Sequence, residues 1–389
     1  MPTPAAGRSA LRICLVYDCL FPLTVGGAER WYANLAERLA RDGHEVTYLT
    51  LRQWERGARP TLPGVELRAV GPRTALYSRG RRRILPTLAF GLGVAWHLLR
   101  QGPYDVVHTA SFPYFSVLAA AALRPLRRHR LVVDWHEVWS RAYWRRYLGP
   151  AGVLGWWVQR LCARVPQHAF CFSRLHAGRV AELGLAVELL EGEYAGPLER
   201  PRPERSKPMV VFAGRHVPEK RLPELVRAVA SARERLPELR CEVYGDGPER
   251  PRVEGLVRQL RLDGAVRVHG VVSDEVLVRA LGSALCLVLP SSREGYGLVV
   301  VEAAARGVPS VVAAGEDNAA VELVEPGENG VVAPSGAPDE LAAAILAVHE
   351  AGDAMRLSTA AWFERNAPRL SLESSLQRVL ASYSRREGR

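Results

Sequence analysis

Two glutamates, Glu294 and Glu302, stand eight positions apart in Ser291-Ser292-Arg293-Glu294-Gly295-Tyr296-Gly297-Leu298-Val299-Val300-Val301-Glu302-Ala303. Ionised carboxylates are acceptor-only groups. A pair of carboxyl groups can act as general acid and base when one is protonated, or, both ionised, can hold two sets of hydroxyls. An apolar strand, Leu285 to Leu289, precedes them and stops at Pro290, and Val299 to Arg306 reads as a helix ended by Gly307-Val308-Pro309. The first carboxylate is expected on a strand-to-helix loop and the second inside the helix. Both would face the crevice at the carboxyl ends of a parallel sheet, where α/β proteins bind ligands. Acceptors at two depths suit a ligand with hydroxyls at two depths, such as a sugar nucleotide.

The cations point the same way. Lysine occurs only at Lys207 and Lys220, against 50 arginines. Lys220 sits in Phe212-Ala213-Gly214-Arg215-His216-Val217-Pro218-Glu219-Lys220, a loop leaving an apolar strand. Arg215 supplies a bidentate fork and Lys220 a compact point charge, a pair placed to pinch a diphosphate. Gly26-Gly27 open the first helix, where glycine lets a backbone approach phosphate and the helix N-terminus attracts negative charge, although an ordinary tight turn reads the same. Tyr244-Gly245-Asp246-Gly247-Pro248 is a turn that could also shape a base or ribose pocket. His108 is read at the end of the strand Asp105-Val106-Val107, and His136 follows Val132-Val133-Asp134-Trp135. Both are expected at strand ends facing an interdomain crevice, with His136 and Glu137 suited to bonding sugar hydroxyls or steadying charge near a reacting carbon. No DxD-type acidic pair adjoins a strand end in a way that invites a divalent cation. No metal is expected, because Arg215, Lys220 and helix N-termini could neutralise a leaving diphosphate.

The elements that must position these groups alternate. Leu11–Tyr17 is an apolar strand, Gly27–Arg41 an amphipathic helix ended by Asp42-Gly43, and Glu45–Thr50 the next strand. This start is Rossmann-like but lacks GxGxxG, so no nicotinamide or flavin cofactor is expected. Further strands are predicted at Val65–Ala69, Val106–Thr109, Leu131–Trp135 and Ala169–Phe172. Residues 195–208, rich in proline and charge, read as a linker. Beyond it Met209–Ala213, Arg240–Tyr244, Val266–Gly270, Leu285–Leu289 and Ser310–Ala313 alternate with helical segments, predicting a second doubly wound parallel sheet. The expected domains are 1–200 on the acceptor side and 201–369 on the nucleotide-sugar side. A C-terminal helix of about 370–389 would pack back onto the first.

Composition bounds the reading. The chain has 389 residues, 48% hydrophobic, enough for two buried cores. Its six cysteines lack CxxC spacing, which fits a reduced, cytoplasmic protein without a cysteine-bound metal. Met1 to Ala10 has no apolar core and hence no visible signal peptide. The run Ile84 to Leu99 is short for a membrane span and better fits a buried or interfacial helix. Residues 1–200 carry 27 arginines and no lysine against 15 acidic residues, a balance of +12, whereas residues 201–389 balance at −1. The clusters Arg79-Arg81-Arg82-Arg83, Arg124-Arg127-Arg128-Arg130 and Arg141-Arg145-Arg146 all fall in the first half. They alternate with Trp139, Tyr143, Trp144, Tyr147, Trp156 and Trp157, an interfacial composition that suggests an anionic membrane surface on its inner, cytoplasmic side. No nucleic-acid recognition motif accompanies the charge.

Taken in order, these motifs resemble family 4 of the retaining glycosyltransferases (glycosyl transferases group 1), which have the GT-B fold. The resemblance runs through Gly26-Gly27-Ala28-Glu29, Asp105-Val106-Val107-His108, His136-Glu137, Gly214-Arg215 to Lys220, Gly245-Asp246-Gly247-Pro248 and Glu294 to Glu302, and closes at Glu325-Pro326-Gly327-Glu328-Asn329-Gly330. It implies two Rossmann-like doubly wound domains facing across a cleft and a UDP- or GDP-sugar donor held mainly by the second. It also implies hexosyl transfer to a lipid-linked, glycan or small-molecule acceptor, with neither metal nor cofactor. By the same resemblance Glu294 and the amides of Gly295, Tyr296 and Gly297 hold the sugar, with Leu298 beside them. Glu302 holds the ribose, Arg215 and Lys220 the diphosphate, and Val272 lies by the base. His136 approaches the transferred sugar. The chain departs from the family pattern at Glu191-Gly192-Glu193-Tyr194, where many relatives have Pro-Asn-Gly, and at Gly315 to Glu322, which replaces Gly-Gly-x-x-Glu and bears on contacts of Asn318 and Glu322. Two other readings stand beside this one. One is a GT-B sugar-nucleotide epimerase or phosphorylase, though a pyridoxal-dependent one would need a Schiff-base lysine. The other is a non-catalytic sugar-nucleotide or membrane-binding protein.

Overall fold

The computed structural model describes residues 10–55, 57, 59–74, 77–78 and 81–384. Most of the N-terminal stretch Met1 to Ala10, Arg79 of the first basic cluster and the last five residues of the predicted C-terminal helix lie outside them. The chain divides into two compact units, residues 1–190 with 375–389, and residues 191–374.

The first unit is built on a seven-stranded, wholly parallel sheet: β1 (Arg12–Val16), β2 (Glu45–Thr50), β3 (Val65–Ala69), β4 (Val106–Ala110), β5 (Arg130–Trp135), β6 (His168–Cys171) and β7 (Glu188–Leu189), in spatial order 3-2-1-4-5-6-7. Its central strands are near-continuous apolar runs, as a sheet covered on both faces demands. They align Ile13 with Val46 on one side and with Val106 on the other. The order reverses between β1 and β4. The helices are α1 (Gly27–Arg41), α2 (Ile84–Gln101), α3 (Tyr114–Arg127), α4 (Arg141–Leu148), α5 (Gly152–Arg164) and α6 (Arg174–Glu182).

The second unit has a six-stranded parallel sheet: β8 (Met209–Ala213), β9 (Arg240–Tyr244), β10 (Val266–Gly270), β11 (Cys286–Leu289), β12 (Ser310–Ala313) and β13 (Gly330–Ala333), in order 10-9-8-11-12-13. Here the order reverses between β8 and β11. Its helices are α7 (Leu222–Ala232), α8 (Arg250–Gln259), α9 (Asp274–Ser283), α10 (Leu298–Ala304) and α11 (Pro338–Leu370), the last interrupted at Gly352. A two-residue ladder pairs Arg293–Glu294 with Asp317–Asn318.

Helix α12 (Leu372–Ser384) carries the chain from the second unit into the first. Within the first unit the Tyr383 hydroxyl lies 2.6 Å from His108 Nδ1, Arg130 donates to the Ser382 carbonyl at 2.6 Å, and Arg378 donates to the Leu189 carbonyl at 2.9 Å. All six cysteines are buried and form no disulfide.

Candidate functional site

Four neighbouring strands of the second unit, in the order β10, β9, β8 and β11, deliver the residues singled out in the sequence to one edge of the sheet. Val272 follows β10, Gly245 follows β9, Arg215 and Lys220 follow β8, and Glu294 to Leu298 follow β11. The loops after β8 and β11 flank the place where the strand order reverses, the crevice in which open α/β sheets bind ligands.

Glycines let these loops touch. Gly245 has φ +113°, and a Cβ there would stand 1.9 Å from the Gly214 carbonyl oxygen; Gly247 likewise leaves no room beside the His216 carbonyl. The two loops are then joined by backbone bonds, Gly214 to the Tyr244 carbonyl at 3.1 Å and His216 to the Asp246 carbonyl at 2.8 Å. Arg215 projects from this junction and is exposed. Beyond it the chain makes a short 3₁₀ turn, Pro218–Lys220, that is tied across to the other loop: Ser292 donates its N–H and its hydroxyl to the Glu219 carbonyl at 2.8 and 3.2 Å.

That tie brings Lys220 Nζ onto Glu294 Oε1 in an ion pair with side chains 18% and 12% exposed. Neither residue is near the other in sequence, and their pairing was not foreseen. An ammonium and a carboxylate are thereby held side by side at the mouth of the switch point. The loop continues through Gly297, at φ +105° with its α-carbon pressed toward Ala320, into α10, where Glu302 lies one turn inside and partly buried.

Contacts with two other segments fix the loop. Asn318, fully buried, pairs in register with Glu294. Its amide donates to the Ser291 and Ala313 carbonyls at 3.0 and 2.8 Å and accepts from Ala320 N–H at 3.1 Å. The Tyr296 hydroxyl donates to the Glu191 carbonyl, and burial holds that phenol well above its ordinary pKa. Glu191 also takes a salt bridge from Arg369 at 3.0 Å. Gly192 lies so close to Ser371 that a Cβ would meet its carbonyl oxygen at 2.0 Å. The departure at Glu191–Tyr194 therefore has a structural use: it seats the 191–194 segment against the 369–372 segment and anchors Tyr296. Gly192, a glycine between two glutamates, was the only signal of this.

The remaining candidates belong to the first unit. Gly26 is the N-cap of α1, and the space a Cβ would take there is filled by the Glu29 carboxylate, 2.4 Å from that position. His136 follows β5 as expected. Its ring stacks on Phe172 with centroids 4.3 Å apart, and Nε2 is buried with no hydrogen-bond partner among the described residues. Burial drives its pKa down to about 4 against the pull of Asp134 and Glu137, so the imidazole is neutral.

His108 differs from expectation. β4 runs on to Ala110, so His108 lies inside the strand, fully buried, between the Tyr383 hydroxyl and Asp134 Oδ1 at 2.8 Å. It is a core residue. Asp134 also accepts from Trp31 Nε1 at 2.8 Å. The interfacial reading of the aromatics changes too. Trp139, Tyr143 and Trp144 are buried, and Gln159 Oε1 accepts from the Tyr114 hydroxyl, the Trp139 backbone N–H and the Trp144 indole at 2.8, 3.1 and 3.2 Å. Of that group Trp157 is exposed.

Comparisons with known proteins bear on the family and the fold. A family profile described as Glycosyltransferase Family 4 matches residues 25–191, and one described as Glycosyl transferases group 1 matches residues 199–362. A D-inositol 3-phosphate glycosyltransferase of Streptomyces avermitilis is 30% identical over 324 residues, 74% of this chain and 68% of that protein. One of Nocardioides sp. is 34% identical over 192 residues, so that the match spans 41% of that relative's length. Among solved structures, sucrose-phosphate synthase of Thermosynechococcus elongatus superposes with a TM-score of 0.79 at 21% identity, covering 95% of this chain and 98% of that one. Anabaena HepE in complex with UDP-glucose gives 0.70 at 19% identity, covering 96% and 99%.

Proposed function

The chain belongs to the family 4, group 1 glycosyltransferases and has their GT-B fold; on that premise we propose that it is a retaining, metal-independent enzyme moving a hexose-type sugar from a UDP- or GDP-sugar to a lipid-linked, glycan or small-molecule acceptor. The observation that carries this reading is the Lys220–Glu294 pair at the switch point of the second sheet. Its cation suits a diphosphate and its carboxylate the hydroxyls of an attached sugar. A working site on an anionic membrane surface belongs to the reading as well, supported by the positive balance of residues 1–200.

In the proposed step the bond from the sugar's anomeric carbon to the diphosphate oxygen breaks while the acceptor oxygen bonds to the same face. The acceptor's proton passes to the departing phosphate oxygen. Positive charge grows on the sugar ring and negative charge on the diphosphate, which Lys220 and Arg215 are placed to meet. Glu294 and the backbone from Gly295 to Gly297 position the sugar, Glu302 the ribose, and Val272 and Gly245 the nucleoside. In this reading His136, a neutral imidazole, approaches the transferred sugar.

A thermal-shift series with UDP, GDP, UDP-glucose and GDP-mannose tests the donor, since a bound ligand raises apparent stability by mass action. UDP or GDP should stabilise the protein. Release of nucleoside diphosphate in the presence of candidate acceptors tests transfer, and Glu294→Ala should abolish it with an unchanged circular-dichroism spectrum. No stabilisation by any of the four, or a fully active Glu294→Ala, overturns the reading.

A further inference from the structure

Four helices of the first unit, α2, α3, α4 and α5, contain no acidic residue at all. α3 packs against both α2 and α5 and lies on β4 and β5, so three of the four share a layer. α2 is apolar on both sides. Phe90, Val94 and Leu98 are buried toward the core, as an amphipathic helix requires. Leu85, Leu88, Leu92, Trp96 and Leu99 recur at helical spacing on the other side, and Leu85, Leu92 and Trp96 are 71%, 73% and 57% exposed. α5 repeats the pattern with Leu154, Trp157 and Leu161 outward and Gln159, Cys162 and Ala163 inward. Single exposed apolar residues are ordinary, but two stripes in one helical layer make a patch of the kind that marks an interaction surface.

The stripes end in arginine. The Arg100 guanidinium lies 3.8 Å from the Trp96 ring centroid, and Arg160 lies over Trp156 and Trp157 at 4.7 and 5.5 Å. An indole with a guanidinium on its face is apolar in its body and cationic at its tip, the pairing suited to the boundary between acyl chains and anionic headgroups. α2 is also held firmly. A Cβ on Gly93 would stand 1.8 Å from the Val70 carbonyl oxygen and one on Gly91 2.5 Å from Phe115 Cβ, so the outer stripe is presented by a seated helix. No helix among the described residues is long and apolar enough to cross a membrane.

We infer that this helical layer is the surface by which the first unit lies on an anionic lipid bilayer, with α2 in the plane of the interface and α5 beside it. The inference rests on the glycosyltransferase reading and deepens it by assigning the helices through which its basic half meets the anionic membrane. It places contact on the helices that hold the apolar run Ile84 to Leu99 and the Trp156-Trp157 pair, and not on Trp139, Tyr143 and Trp144, which are buried. A second copy of the chain fits this face less well. In a two-fold contact the same patch meets itself, and helices bearing arginine and no acidic residue would then face each other without counter-charges.

Co-sedimentation with vesicles of phosphatidylcholine, with and without phosphatidylglycerol, tests it. The protein should bind the anionic vesicles at low salt and lose them as salt screens the arginines. The surface variant Leu85→Gln/Leu92→Gln/Trp96→Gln should bind them at least about tenfold more weakly, while its thermal shift with UDP or GDP stays that of the parent. Leu154→Gln/Trp157→Gln tests α5 independently should the first variant fold poorly. Failure of the parent protein to bind at low salt, or undiminished binding by both variants, overturns the inference and leaves the donor reading standing. A dimer in sedimentation that the first variant turns into monomer assigns the face to a second copy and overturns it too. Loss of the nucleotide shift by the well-folded parent strikes the donor reading alone.

Discussion

Lys220 is one of two lysines in a chain with 50 arginines, and its ammonium lies against Glu294 on a turn tied to Ser292. A compact charge fits that corner, and a planar fork would not keep the same contact. Lys220→Ala should weaken binding of the nucleoside diphosphate by about 1.5–3 kcal/mol, the usual value of a hydrogen bond to a charged group. Lys220→Arg should recover only part of it, read by calorimetric titration with UDP and GDP. Equal affinities across the series would remove Lys220 from the diphosphate site. His136 carries a different expectation. Burial keeps its imidazole neutral down to about pH 4, against an ordinary 6.5. A step that uses the neutral ring should therefore show no acid limb near 6.5 in its kcat/KM profile, and His136→Gln should lower activity without introducing one.

The loops after β8 and β9 meet at glycines, so their geometry is set by elements. Gly245→Ala forces a side chain into φ +113° and against the Gly214 carbonyl. It should cost about 1–3 kcal/mol of stability and weaken nucleotide binding together with it, measured by denaturant titration and thermal shift. At this scale much of the architecture was legible. Met209–Ala213, Arg240–Tyr244 and Val266–Gly270 are strands over the ranges read from sequence, because buried parallel strands are short apolar runs bounded by turn residues. Glu188–Leu189 and Gly330–Ala333 were not legible. The first is two residues long, and the second opens on a glycine whose only reason is the Ser310 carbonyl oxygen 2.0 Å from where its Cβ would be. The candidate site divides the same way. Residue types and their strand-end placement could be read locally. The Lys220–Glu294 pair, the Tyr296 anchor on Glu191 and the Asn318 clasp join segments far apart in the chain, and no local pattern encodes them. Gln159 shows the reverse error, since Trp and Arg in alternation look interfacial until a buried amide is seen to take the Trp144 indole and the Trp139 backbone N–H.

Across the molecule, burial holds His97, His129, His136 and His216 below the ordinary histidine pKa. Each is neutral in the folded protein at a pH where the unfolded chain would bind a proton. Their stabilising share is complete above about pH 6.5 and is lost as pH falls below it toward the depressed folded values. Urea midpoints should accordingly fall between pH 7 and pH 5, and a flat midpoint over that range would refute the assignment. The path of the chain has a consequence of another kind. The first unit is closed by residues from Ser375 onward, with Tyr383 against His108 and Ser382 against Arg130. During synthesis the chain emerges N-terminus first, and domains generally fold as they appear. This first unit must wait, its sheet lacking the C-terminal helix, while the whole second unit is made. Birth order and completion order run opposite ways, and the half of the protein that is translated first is the last to be sealed.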